Sequence, residues 1–252
     1  MPRILITGCS TGFGLAIAQR FLAAAWEVVA TMRKPGEDVL PPQERLTILP
    51  LDVTDADSIA AALAQAGPID ALVNNAGVGM LNALEGTAIE KVREIFETNT
   101  LGPIALTKAV MPQFCERGAG VIVNVSSSVT VKPLPALSTY SASKAALNAF
   151  TESFAHEAAL FGVRVRLVLP GSSPATSFGQ NAVARMGMEI PEPYKAFVMD
   201  YLGELRGSSE VTEPDDVAQA VWSAVADPDT PIKNPAGADA VTWFREAGLP
   251  VD

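Results

Sequence analysis

Two rhythms of apolar residues alternate along this chain. Short, nearly uninterrupted apolar runs fall at 3–7 (RILIT), 27–31 (EVVAT), 46–50 (LTILP), 69–73 (IDALV), 119–125 (AGVIVNV) and 163–169 (VRVRLVL). A strand that exposes one face alternates apolar with polar, so runs with little alternation predict strands covered on both faces, as in a parallel sheet. Between them, apolar residues recur at helical spacing near 13–24, 55–66, 88–115 and 139–161. Strand and helix taking turns in this way predict a doubly wound, three-layer α/β fold with a mostly parallel sheet of about seven strands. No change of composition marks a second unit, so 1–252 reads as a single domain.

The rhythm breaks after the sixth strand. Residues 171–210 mix turn formers with short helical pieces, as expected of a substrate-covering excursion beside the sheet. TEPDDVAQAVWSAVAD then predicts a helix with Thr212 as N-cap and Pro214 and Asp215 in its first turn. A seventh strand is expected only at 232–234, at an edge, because Pro235 cannot donate to a ladder. WFREAGLP, near the end, suits docking on a neighbouring copy or on its own sheet.

Composition narrows the function. With 48% hydrophobic and 18% charged residues in 252, the chain can bury a large core. A formal charge of -10 argues against nucleic acid or an anionic membrane as partner. Cys9, Cys115 and the single His156 offer neither a disulfide framework nor metal-ligand spacing, so no metal site is expected. The opening MPRILITG reads as a first strand rather than a leader, and no stretch is long and apolar enough to span a bilayer. A cytoplasmic enzyme or binding protein is the expectation.

The first strand runs into TGCSTGFG. Glycines at 8, 12 and 14 permit a tight turn, close backbone approach to a ligand and close helix–strand packing. The helix that follows points free N–H groups and its positive dipole end at a pyrophosphate. No Lys follows as it would in a P-loop. The second strand ends Thr31-Met32-Arg33-Lys34, with Met32 where an NAD site places an acid for the ribose hydroxyls. Arg33 and Lys34 instead suit a 2′-phosphate, which a carboxylate would repel, so NADP(H) is the expected cofactor.

TYSASKAAL, 139–147, holds the remaining chemistry. Tyr140 and Lys144 lie four apart, on one helix face and about 6 Å apart along the axis. An ammonium that close favours phenolate, which would let the tyrosine trade a proton near neutral pH.

Taken together, TGCSTGFG, NNAG at 74–77, Asn99, a Ser thirteen residues before Tyr140, and YSASK resemble the short-chain dehydrogenase/reductase family across nearly the whole chain. TGCSTGFG and ATMR are most similar to its steroid and retinol dehydrogenase branch. The resemblance implies a Rossmann fold and an oxidoreductase. It assigns Tyr140 as acid/base, Lys144 as the group that lowers its pKa and holds the nicotinamide ribose, and Ser127 as the hydrogen-bond partner of the substrate oxygen. Composition alone leaves Ser126, Ser127 and Ser128 equivalent. Asn99 would help hold a proton-relay water; otherwise it is a kink or cap residue. For the cofactor, the family pattern carries over to Thr7, Gly8, Ser10, Thr11, Gly12, Phe13 and Gly14 in the first turn. It also implies Asp52 and Val53 at the adenine, and Asn74, Ala76 and Gly77 at its ribose. Asp52 could equally cap the next helix.

One departure stands out. The family's PGxxxT is here PGSSPATSF, so Pro170 and Gly171 match while Thr176 comes one residue late. Thr176 reaches the carboxamide through a bulge, or Ser172, Ser173 or Ser177 replaces it. Apolar and Met residues after Ser127 and within 171–210, among them Val129, Val131, Leu134, Phe178, Met186, Tyr194 and Phe197, suit a hydrophobic carbonyl or alcohol. The resemblance also implies a homodimer or homotetramer paired through about 101–116 and 139–161. Ala145, Ala149, Phe150, Phe154, Ala158 and Leu160 would supply that face. An NAD-linked dehydrogenase, an epimerase or dehydratase, and a non-catalytic cofactor-binding regulator are the alternatives.

Overall fold

The structure is a computed structural model that describes residues 1–36, 39–176, 190–207 and 210–251. Its strands are β1 (Arg3–Thr7), β2 (Glu27–Met32), β3 (Leu46–Pro50), β4 (Ala71–Asn74), β5 (Gly120–Val125), β6 (Val163–Pro170) and β7 (Lys233–Ala236). They form one seven-stranded sheet in the order β3-β2-β1-β4-β5-β6-β7, and every neighbouring pair is parallel. The helices are α1 (Gly12–Ala23), α2 (Ala56–Ala66), α3 (Ile89–Phe96), α4 (Gly102–Arg117), α5 (Ser138–Ala159), α6 (Glu192–Gly207), α7 (Pro214–Ala226) and α8 (Ala238–Glu246). This is the doubly wound Rossmann arrangement. Strand order reverses between β1 and β4, and a ligand crevice opens there, beyond the carboxyl ends of the strands.

The unbroken apolar runs have a direct cause. Along β1, Ile4 and Ile6 pack on one layer with Ile17 and Phe21 of α1 and Val221 of α7. Leu5, between them, packs on the other with Leu106, Val110 and Phe114 of α4. Successive side chains point to opposite faces and both faces are covered by helices, so the middle of the strand is apolar at every position.

Several expected boundaries move. The segment 88–115 is not one helix: α3 and α4 are separated by a π-helical turn, Glu97–Leu101. Pro103 has no N–H to continue an α ladder, and a Cβ on Gly102 would lie 2.9 Å from the Val53 carbonyl oxygen. Helix α7 is capped by Glu213, in a reciprocal capping box with Asp216, rather than by Thr212. Thr212 is fully buried and spends its hydroxyl elsewhere. The seventh strand is Lys233–Ala236 rather than 232–234; Pro235 is tolerated because β7 is an edge.

The C-terminal segment packs on its own sheet, with Phe244 against Leu167 and Leu169. Ala158, expected on a pairing face, is buried in the core instead. Trp222 joins Phe21 and Trp26 in an aromatic cluster. Of the excursion, 190–207 includes α6, whereas Phe178, Met186, Met188 and Ser177 lie outside the described residues.

Candidate active site

The crevice is built on two left-handed glycines. Gly8 (φ 74°) and Gly12 (φ 58°) turn the chain from β1 into α1. A Cβ on Gly14 would sit 2.3 Å from the Gly8 carbonyl oxygen, and one on Gly8 would sit 2.9 Å from the Ala76 Cα. Backbone therefore meets backbone where the loop closes against the segment after β4. Thr7 fastens that junction: its hydroxyl accepts from the N–H groups of Asn75 (3.0 Å) and Ala76 (2.9 Å). Asn75 answers by donating its Nδ2 to the carbonyls of Thr7 (2.8 Å) and Gly8 (3.3 Å). The Thr11 side chain does not cap α1, so the first-turn amides lack an N-cap side-chain acceptor. That is the donor set an anionic pyrophosphate requires.

A cleft of about 820 Å³ runs across this end of the sheet. Its wall includes Gly8, Ser10, Thr11, Gly12 and Phe13 from the turn, then Arg33 after β2. Asp52 and Val53 follow β3, Ala76 and Gly77 follow β4, and Pro170, Gly171 and Thr176 follow β6. Ser127, Tyr140 and Lys144 form part of the same wall. Thr7, Gly14, Asn74 and Asn99 are not on it; they brace it from behind. Lys34 is exposed and stands outside the lining, which leaves Arg33 as the cation of that pair in the cleft.

Asp52 does not cap α2; Asp55 does, accepting from the N–H groups of Asp57 and Ser58. The Asp52 carboxylate accepts from the backbone N–H and hydroxyl of Thr54. The backbone bond, and to a lesser degree the nearby Arg33 guanidinium, hold its pKa below the ordinary carboxylate value. Asn99 lies in the π turn and is fully buried. Its side chain accepts from Val78 N (2.8 Å) and donates to Val78 O (2.9 Å) and Ser143 Oγ (3.1 Å). It thus ties the chain after β4 to α5.

Three adjacent hydroxyls separate cleanly by partner. Ser126 Oγ donates to Asn148 Oδ1 (2.5 Å), and Ser128 Oγ donates to the Pro170 carbonyl (2.9 Å). Ser127, which lines the cleft together with Ser126, is hydrogen-bonded through its hydroxyl with Tyr140. Lys144 Nζ donates to the Val125 carbonyl at 2.9 Å.

The expected acidification of the tyrosine is not what this geometry produces. Burial pushes the Tyr140 phenol up to about 12, and the Ser127 bond only partly offsets it. Burial also brings Lys144 down to about 8. Desolvation penalises each charged form, and it sets the direction of both shifts. Cys9, inside the Gly-rich turn, is fully buried, donates to Ile6 O (3.3 Å), and has its thiol raised to about 12.

The cleft also contains residues the motifs did not single out. Asn75 stood within NNAG and could have been read from it. Val78, Met80 and the α3 residues Glu90, Lys91, Arg93 and Glu94 carried no sequence signal, whereas Ser173 is among the replacements for Thr176 that the sequence offers. Of the apolar candidates among the described residues, Val129, Val131, Leu134, Tyr194 and Phe197 are not on this wall, and Val131 packs toward Phe244.

Comparison with known proteins agrees with the geometry. The family model described as short chain dehydrogenase matches residues 2–186. Retinol dehydrogenase 8 of Homo sapiens is 34% identical over 251 residues, covering 92% of this chain and 80% of that protein. The crystal structure of a short-chain dehydrogenase from Streptomyces avermitilis superposes with a TM-score of 0.84 at 35% identity, covering 97% of this chain and 91% of the other. A short chain dehydrogenase from Burkholderia cenocepacia, solved in complex with NADP, gives 0.79 at 26% identity, covering 98% and 92%. Fold, cleft and comparisons together place this chain in the short-chain dehydrogenase/reductase family of Rossmann-fold oxidoreductases.

Proposed function

We propose that the protein is an NADP(H)-dependent oxidoreductase that interconverts a carbonyl and a secondary alcohol on a small hydrophobic substrate. The observation that carries this reading is the Ser127–Tyr140 hydroxyl pair, with Lys144, in one cleft with Arg33 and the open amide end of α1. The dinucleotide, when bound, supplies or accepts the hydride. The first-turn amides of α1 would hold its pyrophosphate, Arg33 its 2′-phosphate, and Lys144 the ribose beside the nicotinamide. Asp52 and Val53 would meet the adenine.

With its pKa raised, Tyr140 keeps its proton at neutral pH and is suited to donate it to a carbonyl oxygen, with Ser127 as the second hydrogen-bond partner. A positively charged group beside Tyr140 would ease the reverse step, in which it takes the proton from an alcohol. Asn99 suits the relay role proposed for it, since Pro103 offers no N–H to its carbonyl in an α ladder. At the carboxamide end, Thr176 Oγ1 is already bonded to the Ser173 carbonyl (2.9 Å). The Ser173 hydroxyl, buried without a partner among the described residues, is the better candidate. Val78 and Met80 give the cleft apolar wall for a hydrophobic substrate, in keeping with the retinol dehydrogenase relative. A homodimer or homotetramer would use the α4–α5 face, where Phe150 stacks on Phe154 beside exposed Phe161 and Leu160.

The test is a fluorescence titration of NADPH and NADH against wild type and Arg33→Ala. NADPH affinity should exceed NADH affinity and fall about 10- to 100-fold in the variant, the worth of a charge-assisted phosphate contact. Equal affinities, unmoved by the substitution, would remove the 2′-phosphate assignment.

A further inference from the structure

Helix α5 does more than present Tyr140 and Lys144. One side of it meets the end of β5 almost residue for residue. Thr151 Oγ1 accepts from Asn124 Nδ2 (2.8 Å), Lys144 Nζ donates to Val125 O (2.9 Å), Asn148 Oδ1 accepts from Ser126 Oγ (2.5 Å), and Tyr140 bonds with Ser127. Asn148 holds a second partner as well. Its Nδ2 donates to Thr130 Oγ1 (2.9 Å), and Thr130 Oγ1 in turn donates to the Ser127 carbonyl (2.8 Å).

We propose that Asn148 is a positioning residue for the reaction: it clamps the 126–130 turn onto α5 and thereby fixes the Ser127 hydroxyl against the Tyr140 phenol. It acts through Ser127, since Asn148 itself is not part of the cleft wall. The inference rests on the proposed role of Ser127 at the substrate oxygen.

The chemistry requires an amide. The carbonyl end takes the single proton of Ser126, while the NH2 end fills a lone pair of Thr130 and leaves the Thr130 proton for Ser127 O. A carboxylate accepts from both hydroxyls, so it draws the Thr130 proton away and leaves the Ser127 carbonyl only the longer bond from Thr130 N (3.3 Å). An alkyl group deprives Ser126 of its short acceptor and Thr130 of its donor, and so cuts the link between α5 and the turn. Asn148, Ser126 and Ser127 are each less than a tenth exposed, at 8%, 4% and 6%, so water does not readily take over these bonds.

The experiment uses Asn148→Asp, Asn148→Ala and Thr130→Val, each alone and with Ser127→Ala. Thr130→Val breaks the same link from its other end and covers the case in which an Asn148 variant does not fold. In the ligand-free proteins, amide exchange at residues 129–131 should rise about tenfold, consistent with one lost hydrogen bond, while α5 stays protected. NADPH affinity should be unchanged. With substrate, kcat should drop 10- to 100-fold at unchanged cofactor KM, and the pKa governing kcat should move up as Ser127 lets go of the phenol. In the Ser127→Ala background, the second substitution should cost nothing further in kcat.

Multiplicative losses in the double variants, or unaltered exchange in the turn, would overturn the proposal. If wild type turns over no carbonyl or alcohol, the proposed function fails, and the exchange comparison still decides whether Asn148 orders Ser127.

Discussion

Lys144 is a charged group held against its solvation preference, and Lys144→Met should reveal that cost. Its ammonium is 4% exposed and is lowered from 10.5 to about 8 by burial. Between pH 8 and 10.5 the unfolded chain therefore binds more protons than the folded one, and stability contributed by this group rises with pH. At about 1.4 kcal/mol per pKa unit, the folded protein carries a penalty of about 3 kcal/mol below pH 8, falling to about 1 kcal/mol at pH 10. Methionine keeps the unbranched stem and removes the charge. It also leaves the Val125 carbonyl without its 2.9 Å donor, which costs about 1–3 kcal/mol at every pH. At pH 7 the two terms nearly offset, so the variant should equal wild type or exceed it by up to about 2 kcal/mol. By pH 10 wild type should have gained about 2 kcal/mol on the variant. Tyr140, raised from 10.0 to about 12, opposes this gain above pH 10, but it does so in both proteins. Urea unfolding of both proteins at pH 7, 8, 9 and 10 measures the difference. Parallel stability curves across that range would refute the reasoning, and turnover should be lost in the variant throughout.

Three further outcomes follow from particular contacts. Ala25 closes α1 in the left-handed region (φ 62°), with Trp26 N donating to Phe21 O at 3.1 Å; Ala25→Gly should add about 1 kcal/mol and raise Tm by about 2–4 °C by calorimetry, whereas Ala24→Gly should lower it. Thr212 accepts from Gly171 N (2.9 Å) and bonds with Asp239 Oδ1 (2.7 Å), so Thr212→Val should destabilise by about 1–3 kcal/mol and weaken NADPH binding in the same titration. In Cys115→Ser, the remaining Cys9 thiol, buried and raised to about 12, should react with a disulfide reagent only as fast as the protein unfolds, and a rapid phase would contradict its burial.

The residues that resisted reading from sequence share a feature. Ser126, Ser127 and Ser128 are identical in type and adjacent, and what distinguishes them is where their partners lie: Asn148 on α5, Tyr140 on α5, and Pro170 at the end of β6. The long helix expected over 88–115 looked continuous because periodicity does not record a Val53 backbone atom pressing on Gly102. The expected Thr212 cap followed a sound local preference. The hydroxyl was claimed instead by Gly171, Ala236 and Asp239 from distant segments. The i,i+4 spacing of Tyr140 and Lys144 correctly put them on one helix, yet spacing carries no information about burial, and burial set the direction of both pKa values.

The sequence alone determined whatever depends on neighbours along the chain. Apolar runs and helical periodicity set the parallel sheet and its covering helices, and the Gly8, Gly12 and Gly14 spacing set the turn into α1. The order of motifs brought Arg33, Ser127, Tyr140 and Lys144 to the carboxyl edge of that sheet. The tertiary structure alone decided which partner each of Ser126, Ser127 and Ser128 meets, that Asn148 and Thr212 secure the turns around the cleft, and that Tyr140 and Lys144 both lean toward neutrality. Backbone propensity and side-chain alternation are local energies. Desolvation and long-range hydrogen bonding exist only once segments distant in sequence have closed around the same atoms.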